Sequence, residues 1–250
     1  MNSHYTVEHQ DDPICNKYTE FLRGVAIFKG LPNQFIYDLS TRVRKVPYKK
    51  GNYIFQDFDE ANALYFVKRG IIKVKKINAE GKELIIYIKQ LGDILAEAYL
   101  FCKKGTVYHE TAEALVDTEV FVLSHADLED ILTINPSACT TMVRFMGEQL
   151  HDFTAQLVDL TLLDVYSNTI KAIARLAYKI GYKVNNEMRI EIPLSIQDLA
   201  KFIGASRESV TRVIKKLREQ NIITIHNRKI TINSWSMFYQ EYKEISLYEL

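Results

Sequence analysis

The sequence contains little cysteine: three residues, Cys15, Cys102 and Cys139, among 250. They are odd in number and far apart, which excludes a disulfide scaffold and a zinc knuckle as the basis of the fold. A free cysteine usually behaves as a small buried hydrophobe, so we expect these thiols to be reduced and to hold no metal.

Long uncharged apolar runs are also missing, and the first residues, MNSHYTVEHQDD, do not have the basic-then-apolar order of a secretion signal. We therefore expect no contact with a membrane and a cytoplasmic location. The sequence has no Gly-rich phosphate loop, no HExxH pair and no paired nucleophile and base. Because each of these carries a common enzyme chemistry, the sequence predicts no catalytic activity.

Net charge is small for the chain as a whole, at +1, but it is unevenly distributed. Residues 194–233 contain eight Lys or Arg against three Asp or Glu, a net charge of +5, which leaves −4 for the remainder. Lys and Arg displace the counterions that condense on nucleic acid. A basic segment beside a slightly acidic body therefore indicates a phosphate-bearing partner at the C-terminal end.

The segment LSIQDLAKFIGASRESVTRVIKKL, residues 194–217, has the pattern of two short helices joined by a tight turn. Ser195 and Asp198 match a capping box at the start of the first helix. Gly204 allows the left-handed conformation that ends this helix, and Ser206 is a natural cap for the next. Helices joined by so short a turn must cross steeply, so we predict a DNA-binding helix-turn-helix.

On the second helix, apolar residues recur at helical spacing and form an inward face, which leaves a polar face outward. Arginine can bond a guanine edge in two places, glutamate can accept from cytosine, and threonine can contact thymine. The alternative is an ordinary amphipathic helix with a solvated charged face. We assign seven residues to the DNA interface: Ser206, Arg207, Glu208, Ser209, Thr211, Arg212 and Lys215.

Residues 46–123 consist of short runs rich in Val, Ile, Tyr and Phe, such as ALYFVKRGIIKVKKI and KELIIYIKQLGDIL. Runs of this length at nearly regular spacing predict a compact antiparallel barrel or sandwich. The corners of this barrel are marked by Gly51, Gly70, Gly81, Gly92 and Gly105.

A short helix over residues 128–135, ended by Pro136, precedes a longer helix with a heptad seam. Spacings of four, three, four and three residues along the seam predict burial against a twin helix. The alternative is a helix that lies on the barrel of its own chain. The seam consists of Met146, Leu150, Phe153, Leu157 and Leu160.

The segment LDV at residues 163–165 and the Ser167-Asn168 pair predict a hinge, followed by a helix over residues 169–180. Alternating residues at 189–193 predict a small strand that leads into the helix-turn-helix. Two Ile-rich runs at 222–225 and 229–232 predict a basic hairpin, so the motif is of the winged form.

This order of parts resembles the cyclic-AMP receptor protein and FNR (CRP/FNR) family of bacterial transcription regulators. The likeness covers residues 28–232, and its anchors are ALYFVKRGIIKV, NAEGKELII, LGDIL, LTLLDV and LAKFIGASRESVTRVIKKL. It implies an α+β fold with three parts: an N-terminal cyclic-nucleotide-binding-like β-roll (jelly roll) in residues 1–135, a long dimerisation helix and hinge in 136–165, and a C-terminal winged helix-turn-helix in 166–250.

The resemblance also implies a homodimer that binds a palindromic operator on double-stranded DNA and recruits or blocks RNA polymerase. Arg207, Glu208 and Arg212 stand where the CRP branch reads a G·C-rich half-site, whereas a hydroxyl residue such as Thr211 is more similar to the FNR branch. We therefore expect a half-site of the TGTGA or TTGA kind. Activation and repression remain equally open.

The signal site matches the family less well. Cyclic-AMP binders of the family hold the cyclic phosphate with an Arg followed by Ser or Thr, whereas here Glu110 precedes Thr111. A carboxylate repels an anion and cannot form the bidentate phosphate bond, so we do not expect control by cAMP. An FNR-type iron–sulfur cluster needs closely spaced N-terminal cysteines, and only Cys15 is present there, so we expect no such cluster.

Two kinds of signal remain open. The first is a small organic effector, such as an aromatic or halogenated acid held by Lys89. The alternative is a redox input through the cysteine thiols, or a haem or metal at His109 or Cys102. We place the effector site at Tyr87, Lys89, Ala96, Glu97, Tyr99, Phe153, Thr154 and Leu157, although the same side chains could instead be plain core.

Overall fold

The structure, a computed structural model, describes residues 13–185, 187–190, 194–226 and 229–246. It begins with α1 (Pro13–Arg23), a 3-10 turn (Ala26–Phe28) and α2 (Asn33–Arg42). Buried residues of these helices, including Phe28 and Phe35, share a hydrophobic cluster with Phe66 and Phe121 of the following strands. The N-terminal helices therefore pack on the outside of the β-domain.

The β-domain contains eight strands in two four-stranded antiparallel sheets. Their bounds are β1 (Arg44–Tyr48), β2 (Tyr53–Phe55), β3 (Ala63–Arg69), β4 (Ile71–Ile77), β5 (Glu83–Gln90), β6 (Ile94–Leu95), β7 (Thr111–Ala114) and β8 (Thr118–Ser124). The first sheet has the order β1-β8-β3-β6 and the second has the order β2-β7-β4-β5. Val67, Ile72 and Val120 lie in the core between the sheets, so the predicted β-roll is confirmed.

Gly70 shows why glycine stands at a corner of the roll. It joins β3 to β4 with a φ of +104°, and a Cβ atom there would lie 2.3 Å from the side-chain oxygen of Thr118. No other residue type fits both constraints, since a side chain disfavours this φ and would clash with β8.

Two helices follow the roll. α3 (His125–Ile134) starts three residues before the predicted helix because Ser124 caps it, accepting from the backbone N–H of Asp127 at 3.1 Å. Pro136 ends that helix as predicted and opens α4 (Pro136–Leu162), where its missing N–H costs no hydrogen bond. α4 has 27 residues and carries the predicted seam.

The predicted hinge is partly wrong. Only Leu163 and Asp164 separate α4 from α5 (Val165–Ile180), so Ser167 and Asn168 lie inside a helix rather than in a hinge. Asp164 accepts the backbone N–H of Ser167 at 2.7 Å and is therefore the N-cap. The helix predicted to start at Thr169 starts four residues earlier for this reason.

The C-terminal module is a winged helix-turn-helix. Its elements are β9 (Tyr182–Val184), β10 (Glu187–Ile190), α6 (Ile196–Phe202), α7 (Arg207–Glu219), β11 (Ile223–His226), β12 (Lys229–Ile232) and α8 (Trp235–Ser246). The strands form one antiparallel sheet in the order β11-β12-β10-β9. The hairpin of β11 and β12 confirms the predicted wing, whereas β9 and α8 were not predicted. Residues 191–193 of the predicted strand and the wing residues 227–228 lie outside the described part of the chain.

The C-terminal module contacts the β-roll along β5. Ile85 and Ile88 of β5 belong to the hydrophobic cluster of the helix-turn-helix. An ion pair joins Lys201 Nζ of α6 to Glu83 Oε2 at 2.9 Å, and Lys179 Nζ of α5 lies 2.9 Å from Asp93 Oδ2. Strand β5 is therefore shared between the two parts of the molecule.

Candidate DNA interface and effector site

The turn between α6 and α7 has the geometry that its sequence predicts. Ser195 and Asp198 form a complete capping box: Ser195 Oγ accepts the backbone N–H of Asp198 at 3.1 Å, and the Ser195 N–H donates to Asp198 Oδ2 at 2.9 Å. Gly204 has a φ of +65°, and Ser206 Oγ accepts the N–H of Ser209 at 3.1 Å. The two helices are thus fixed by hydrogen bonds at both sides of the turn.

The predicted DNA-contacting residues lie on the outer side of α7. Six of the seven are exposed, and Ser209 is half-buried. The opposite face is buried and consists of Val210, Val213, Ile214 and Leu217.

The two arginines of this face, Arg207 and Arg212, are exposed, and within the described residues neither forms an ion pair with an acidic side chain. Arg212 Nη2 donates only a long hydrogen bond, 3.3 Å, to Ser209 Oγ. The hydroxyl of Thr211 donates to the backbone oxygen of Arg207 at 2.7 Å, which commits its hydrogen to the helix itself. Both guanidinium groups therefore remain available to a partner.

A cavity of about 380 Å³ lies between the β-roll and α4. This volume is within the range of small-molecule sites, and the lining is mainly apolar. Five of the predicted effector residues line it: Tyr87, Lys89, Ala96, Glu97 and Phe153.

The other three predicted effector residues do not line the cavity. Tyr99 is buried and donates its hydroxyl to Glu110 Oε2 at 2.6 Å. Thr154 is exposed and donates its hydroxyl to the backbone oxygen of Leu150 at 2.9 Å, and Leu157 lies one turn further along α4. The part of α4 that faces the cavity is therefore its middle, up to Phe153.

Lys89, the residue predicted to hold an acid, is already paired. Its Nζ lies 2.6 Å from Glu97 Oε1 and 4.7 Å from the centre of the Tyr87 ring. The side chains of Lys89 and Glu97 are only 8% and 14% exposed, so water screens this pair weakly. A carboxylate ligand would have to compete with Glu97 for the ammonium group.

Glu110 adds a second carboxylate to the cavity. Burial raises its pKa above the ordinary value, and the nearby charge of Glu97 raises it further, although the hydrogen bond from Tyr99 opposes the shift. Burial, together with Glu97, Glu110 and Asp152, raises the pKa of Tyr87 to about 12, so this phenol stays protonated. The lining thus contains one cationic and two acidic side chains.

Several lining residues were not assigned to the effector site from the sequence. Four strands contribute one each and the others come from loops and α4, and a single sequence contains no signal for which of these residues converge. They are Phe55, Val74, Ile86, Leu95, Ala98, Glu110 and Gln149, together with Met146 and Leu150, which were predicted for the dimer seam.

A larger cavity, about 590 Å³, lies near the start of α3. It is lined by polar side chains including Arg42, Lys103 and His125, and no α4 residue lines it. A ligand there would not touch the helix that leads to the DNA-binding module. We therefore take the smaller cavity as the candidate effector site.

The seam of α4 is largely uncovered. The exposed fractions are 66% for Leu150, 47% for Phe153, 52% for Leu157 and 39% for Leu160, whereas Met146 is half-buried. The β-roll of the same chain therefore does not cover the second half of the helix. Isolated large apolar residues are common on surfaces, but a contiguous stripe of this kind marks an interaction site.

The residues of the alternative signal, a redox change at cysteine thiols or a bound haem or metal, are dispersed. Cys102 is exposed, Cys139 is half-buried, and the side chain of Cys15 lies outside the described residues. Over the described ranges, no three His, Cys, Asp or Glu side chains come together in a group that could hold a metal ion. Within the same ranges, no helix combines the length and the hydropathy needed to cross a bilayer.

Two family models match the chain, one for each module. The model of the cyclic nucleotide-binding domain matches residues 45–135, and the model of the Crp-like helix-turn-helix domain matches residues 170–239. Together they cover most of the chain and agree with the division into β-roll and winged module.

Curated relatives are similar over most of their length. The anaerobic regulatory protein of Bacillus subtilis is 32% identical over 192 residues, covering 77% of this chain and 79% of the relative. The cAMP-activated global transcriptional regulator CRP of Salmonella typhimurium is 27% identical over 190 residues, covering 76% of this chain and 89% of the relative. These similarities do not favour the thiol-based alternative.

Solved structures share the fold. FixK2 from Bradyrhizobium japonicum superposes with a TM-score of 0.69 at 19% identity, over 79% of this chain and 96% of that one. The c-di-GMP responsive global regulator CLP of Xanthomonas campestris also has a TM-score of 0.69 at 19% identity, over 81% of this chain and 100% of that one. The roll, the long helix and the winged module thus occur in the same order in both.

Proposed function

The chain belongs to the CRP/FNR family of DNA-binding transcription regulators, and from this premise we propose that it acts as a homodimer on a palindromic operator under the control of a small organic effector. It is a regulator and not an enzyme. The observation that carries the proposal is the free recognition face of α7, with both arginines uncovered at the end of a hydrogen-bonded turn.

The exposed stripe on α4 supports the homodimer. Its apolar residues repeat at heptad spacing, which is the pattern that two equal helices bury against each other. A dimer also meets the geometric need of the DNA site, because two helix-turn-helix modules related by a twofold axis fit two half-sites one helical turn apart. The occupant that we propose for this stripe is therefore a second copy of the chain.

The operator is of the TGTGA or TTGA kind. Arg207 and Arg212 would bond guanine edges, Glu208 would accept from cytosine, and Thr211 would contact a thymine methyl group. Ser206, Ser209 and Lys215 would contact phosphates, which fixes the register of the helix but conveys no sequence information. The bound dimer would then recruit or block RNA polymerase.

The effector would act through α4. The candidate cavity includes Met146, Leu150 and Phe153 of that helix, so a bound ligand would contact both the roll and the dimer helix. A ligand shifts an equilibrium only by its different affinities for the two states. We propose that the ligand shifts the position of the two paired α4 helices relative to each other. The hinge at Leu163 and Asp164 would transmit this shift to the recognition helices.

Cyclic AMP does not fit the cavity. The relative from Salmonella typhimurium is described as cAMP-activated, and the matching domain is described as cyclic nucleotide-binding. In this chain Glu110 lines the cavity and Lys89 is paired with Glu97. A cyclic phosphate would meet two carboxylates and no uncommitted cation, so the cavity lacks charge complementarity to it.

The test is operator binding by the purified full-length protein. An operator is first selected from random duplexes, and its affinity is then measured by mobility shift with and without candidate ligands, including cAMP. The proposal predicts selection of a palindrome and an affinity that changes with at least one ligand but not with cAMP. Selection of no preferred sequence would contradict it.

A further inference from the structure

We infer that the cavity between the β-roll and α4 selects a small organic cation, an ammonium group on an apolar body, rather than an anion. This inference rests on the proposed function only in taking that cavity as the effector site. It replaces the organic acid expected from the sequence, because the structure commits Lys89 to Glu97.

The balance of charges points to a cation. The charged side chains in the lining are Lys89, Glu97 and Glu110, of which the first two neutralise each other at 2.6 Å. Among the described residues, Glu110 is hydrogen-bonded by the neutral hydroxyl of Tyr99 and forms no ion pair, although the positive charges of His109 and Lys76 act on it from a greater distance. Asp152 of α4 adds a further negative charge close enough to Tyr87 to raise the pKa of its phenol. The site therefore presents an excess of negative charge to a ligand.

An anion would meet an energetic cost at each step of entry. It must lose its hydration in a mainly apolar cavity and approach Glu110. It can gain a cationic partner only by separating Lys89 from Glu97, which would leave a carboxylate that is 14% exposed without its ion pair. An ammonium group would instead lie between Glu97 and Glu110 and reduce the repulsion between them.

The rest of the lining suits the body of such a ligand. Phe55, Tyr87 and Phe153 provide aromatic side chains, and Val74 and Leu95 add aliphatic surface. Aromatic faces attract cations as well as apolar groups, most strongly when water is excluded. A volume of about 380 Å³ accommodates an arylalkyl amine.

The experiment compares ligands that share an apolar body and differ in the terminal group, which is an ammonium, a neutral hydroxyl or a carboxylate. Three series are used: phenethylamine, phenethyl alcohol and hydrocinnamate; tryptamine, tryptophol and indolepropionate; hexylamine, hexanol and heptanoate. Affinity for the full-length protein is measured by calorimetry. In every series that binds, we expect the amine to bind at least about tenfold more tightly than the carboxylate. Tighter binding of the carboxylates, or no binding by any amine at millimolar concentration, would overturn the inference.

Two variants test whether the preference for amines arises from the carboxylates of this cavity. Glu110→Gln keeps an acceptor for the Tyr99 hydroxyl but removes the charge, and it should weaken the best amine about tenfold. Glu97→Gln releases Lys89 and should shift the preference toward the carboxylate of the same series. Glu80→Gln is the matched control, because Glu80 is exposed in the turn between β4 and β5 and does not line the cavity. An equal loss in Glu80→Gln and Glu110→Gln would contradict the assignment of the site.

The failure of this inference can be distinguished from that of the proposed function. Operator affinity of the same protein preparations is measured with and without each ligand. If carboxylates bind and change operator affinity, the charge preference is wrong but the effector-controlled regulator stands. If the protein selects no operator at all, the proposed function fails regardless of which ligands bind.

Discussion

At the scale of single residues, Arg212 is the position where base reading is tested most clearly. Its guanidinium group is exposed on α7 and, within the described part of the chain, donates a single hydrogen bond, 3.3 Å long, to Ser209. Arg212→Ala should lower the affinity for the selected operator by about 1–3 kcal/mol and relax the preference at one base position of each half-site. Mobility shift with a set of single-base operator variants measures both effects.

Arg144→Ala is the matched control, because Arg144 is also exposed but lies on α4 outside the DNA module. This variant should keep both affinity and base preference. An Arg212→Ala protein with unchanged preference at every position would count against base reading by this residue.

Asp159 is the residue on which the junction of α4 and α5 depends. It is buried, lies 2.8 Å from Lys171 Nζ and is also bonded by Arg175. Neutralising one member of a buried ion pair weakens the compensation of the opposite charge, so Asp159→Asn should lower the free energy of unfolding by about 3 kcal/mol. Chemical denaturation measures this change.

Glu148→Gln on the same helix provides the comparison, since Glu148 is exposed and its loss should change stability by less than about 0.5 kcal/mol. Equal stabilities of the Asp159→Asn and Glu148→Gln proteins would show that the buried cluster does not hold the junction.

The two candidate sites differ in how far the sequence could predict them. The exposed face of α7 follows from spacing within one helix, so the pattern alone predicts that Arg207 and Arg212 lie on its outer side. The cavity is assembled from several strands and α4, and the sequence does not show that Lys89 meets Glu97 or that Thr154 lies outside the lining. Local spacing therefore predicts which face of a helix is exposed, but it does not predict which side chains meet in a cavity assembled from several elements.

At the scale of secondary-structure elements, α4 carries the proposed dimer contact. Leu157 is 52% exposed, lies on the seam and does not line the cavity. Leu157→Lys would place a charge in the middle of the paired helices, where burying it without a partner is costly. We expect a monomer by sedimentation velocity, with weakened operator binding.

Ala155→Lys introduces the same charge at an exposed position on the opposite side of α4 and should leave the oligomeric state unchanged. A dimer of undiminished strength in the Leu157→Lys protein would contradict the assignment of the seam.

Strand β5 links the candidate effector site to the DNA-binding module. Tyr87 and Lys89 line the cavity, whereas Ile85 and Ile88 pack into the hydrophobic cluster of the winged module. Some side chains of β5 therefore line the cavity, and others pack against the helix-turn-helix. Together with α4, it offers a second physical connection between the two sites.

The ion pair between Lys201 and Glu83 tests this contact. Lys201→Met removes a charge-assisted hydrogen bond of 2.9 Å while keeping an unbranched side chain. If this bond contributes about 1.5 kcal/mol to local stability, its loss should accelerate amide hydrogen exchange in β5 and α6 roughly tenfold. Exchange in β1 and β8 should not change.

Lys215→Met removes an exposed lysine whose ion pair with Glu219 is long, at 3.8 Å, and should leave exchange in β5 unchanged. Equal exchange rates in β5 for the Lys201→Met and unaltered proteins would show that this ion pair does not hold the two modules together.

The errors in predicted elements have a common physical origin. Asp164 was interpreted as part of a hinge, although an Asp before a helical pattern also caps a helix, and here it does so and extends α5 to Val165. Strand β9 and helix α8 are short or terminal elements that gain their stability from the neighbouring sheet and core, as when Phe238 is buried in the module's cluster. The regular runs of the β-roll and the helix-turn-helix were predicted because their own patterns are strong.

At the scale of the whole molecule, the distribution of charge along the chain agrees with the arrangement of the modules. The basic segment of residues 194–233 contains α6, α7 and the β11–β12 hairpin of the winged module, and the roll and α4 belong to the slightly acidic remainder. The predicted boundaries after residues 135 and 165 lie close to the starts of α4 and α5, but the division into domains remains a prediction. This distribution agrees with the proposal that the C-terminal module binds the phosphates of DNA.

The most direct test of the account is the dependence of affinity on the spacing between two half-sites. Synthetic duplexes carry the selected half-site once, or twice with centres separated by varied distances, and mobility shift measures their affinities for the full-length protein. The account predicts a sharp maximum when the centres are about one helical turn apart, roughly 34–36 Å, with the single half-site bound far more weakly. Equal affinity for one half-site and for two at any spacing would contradict it.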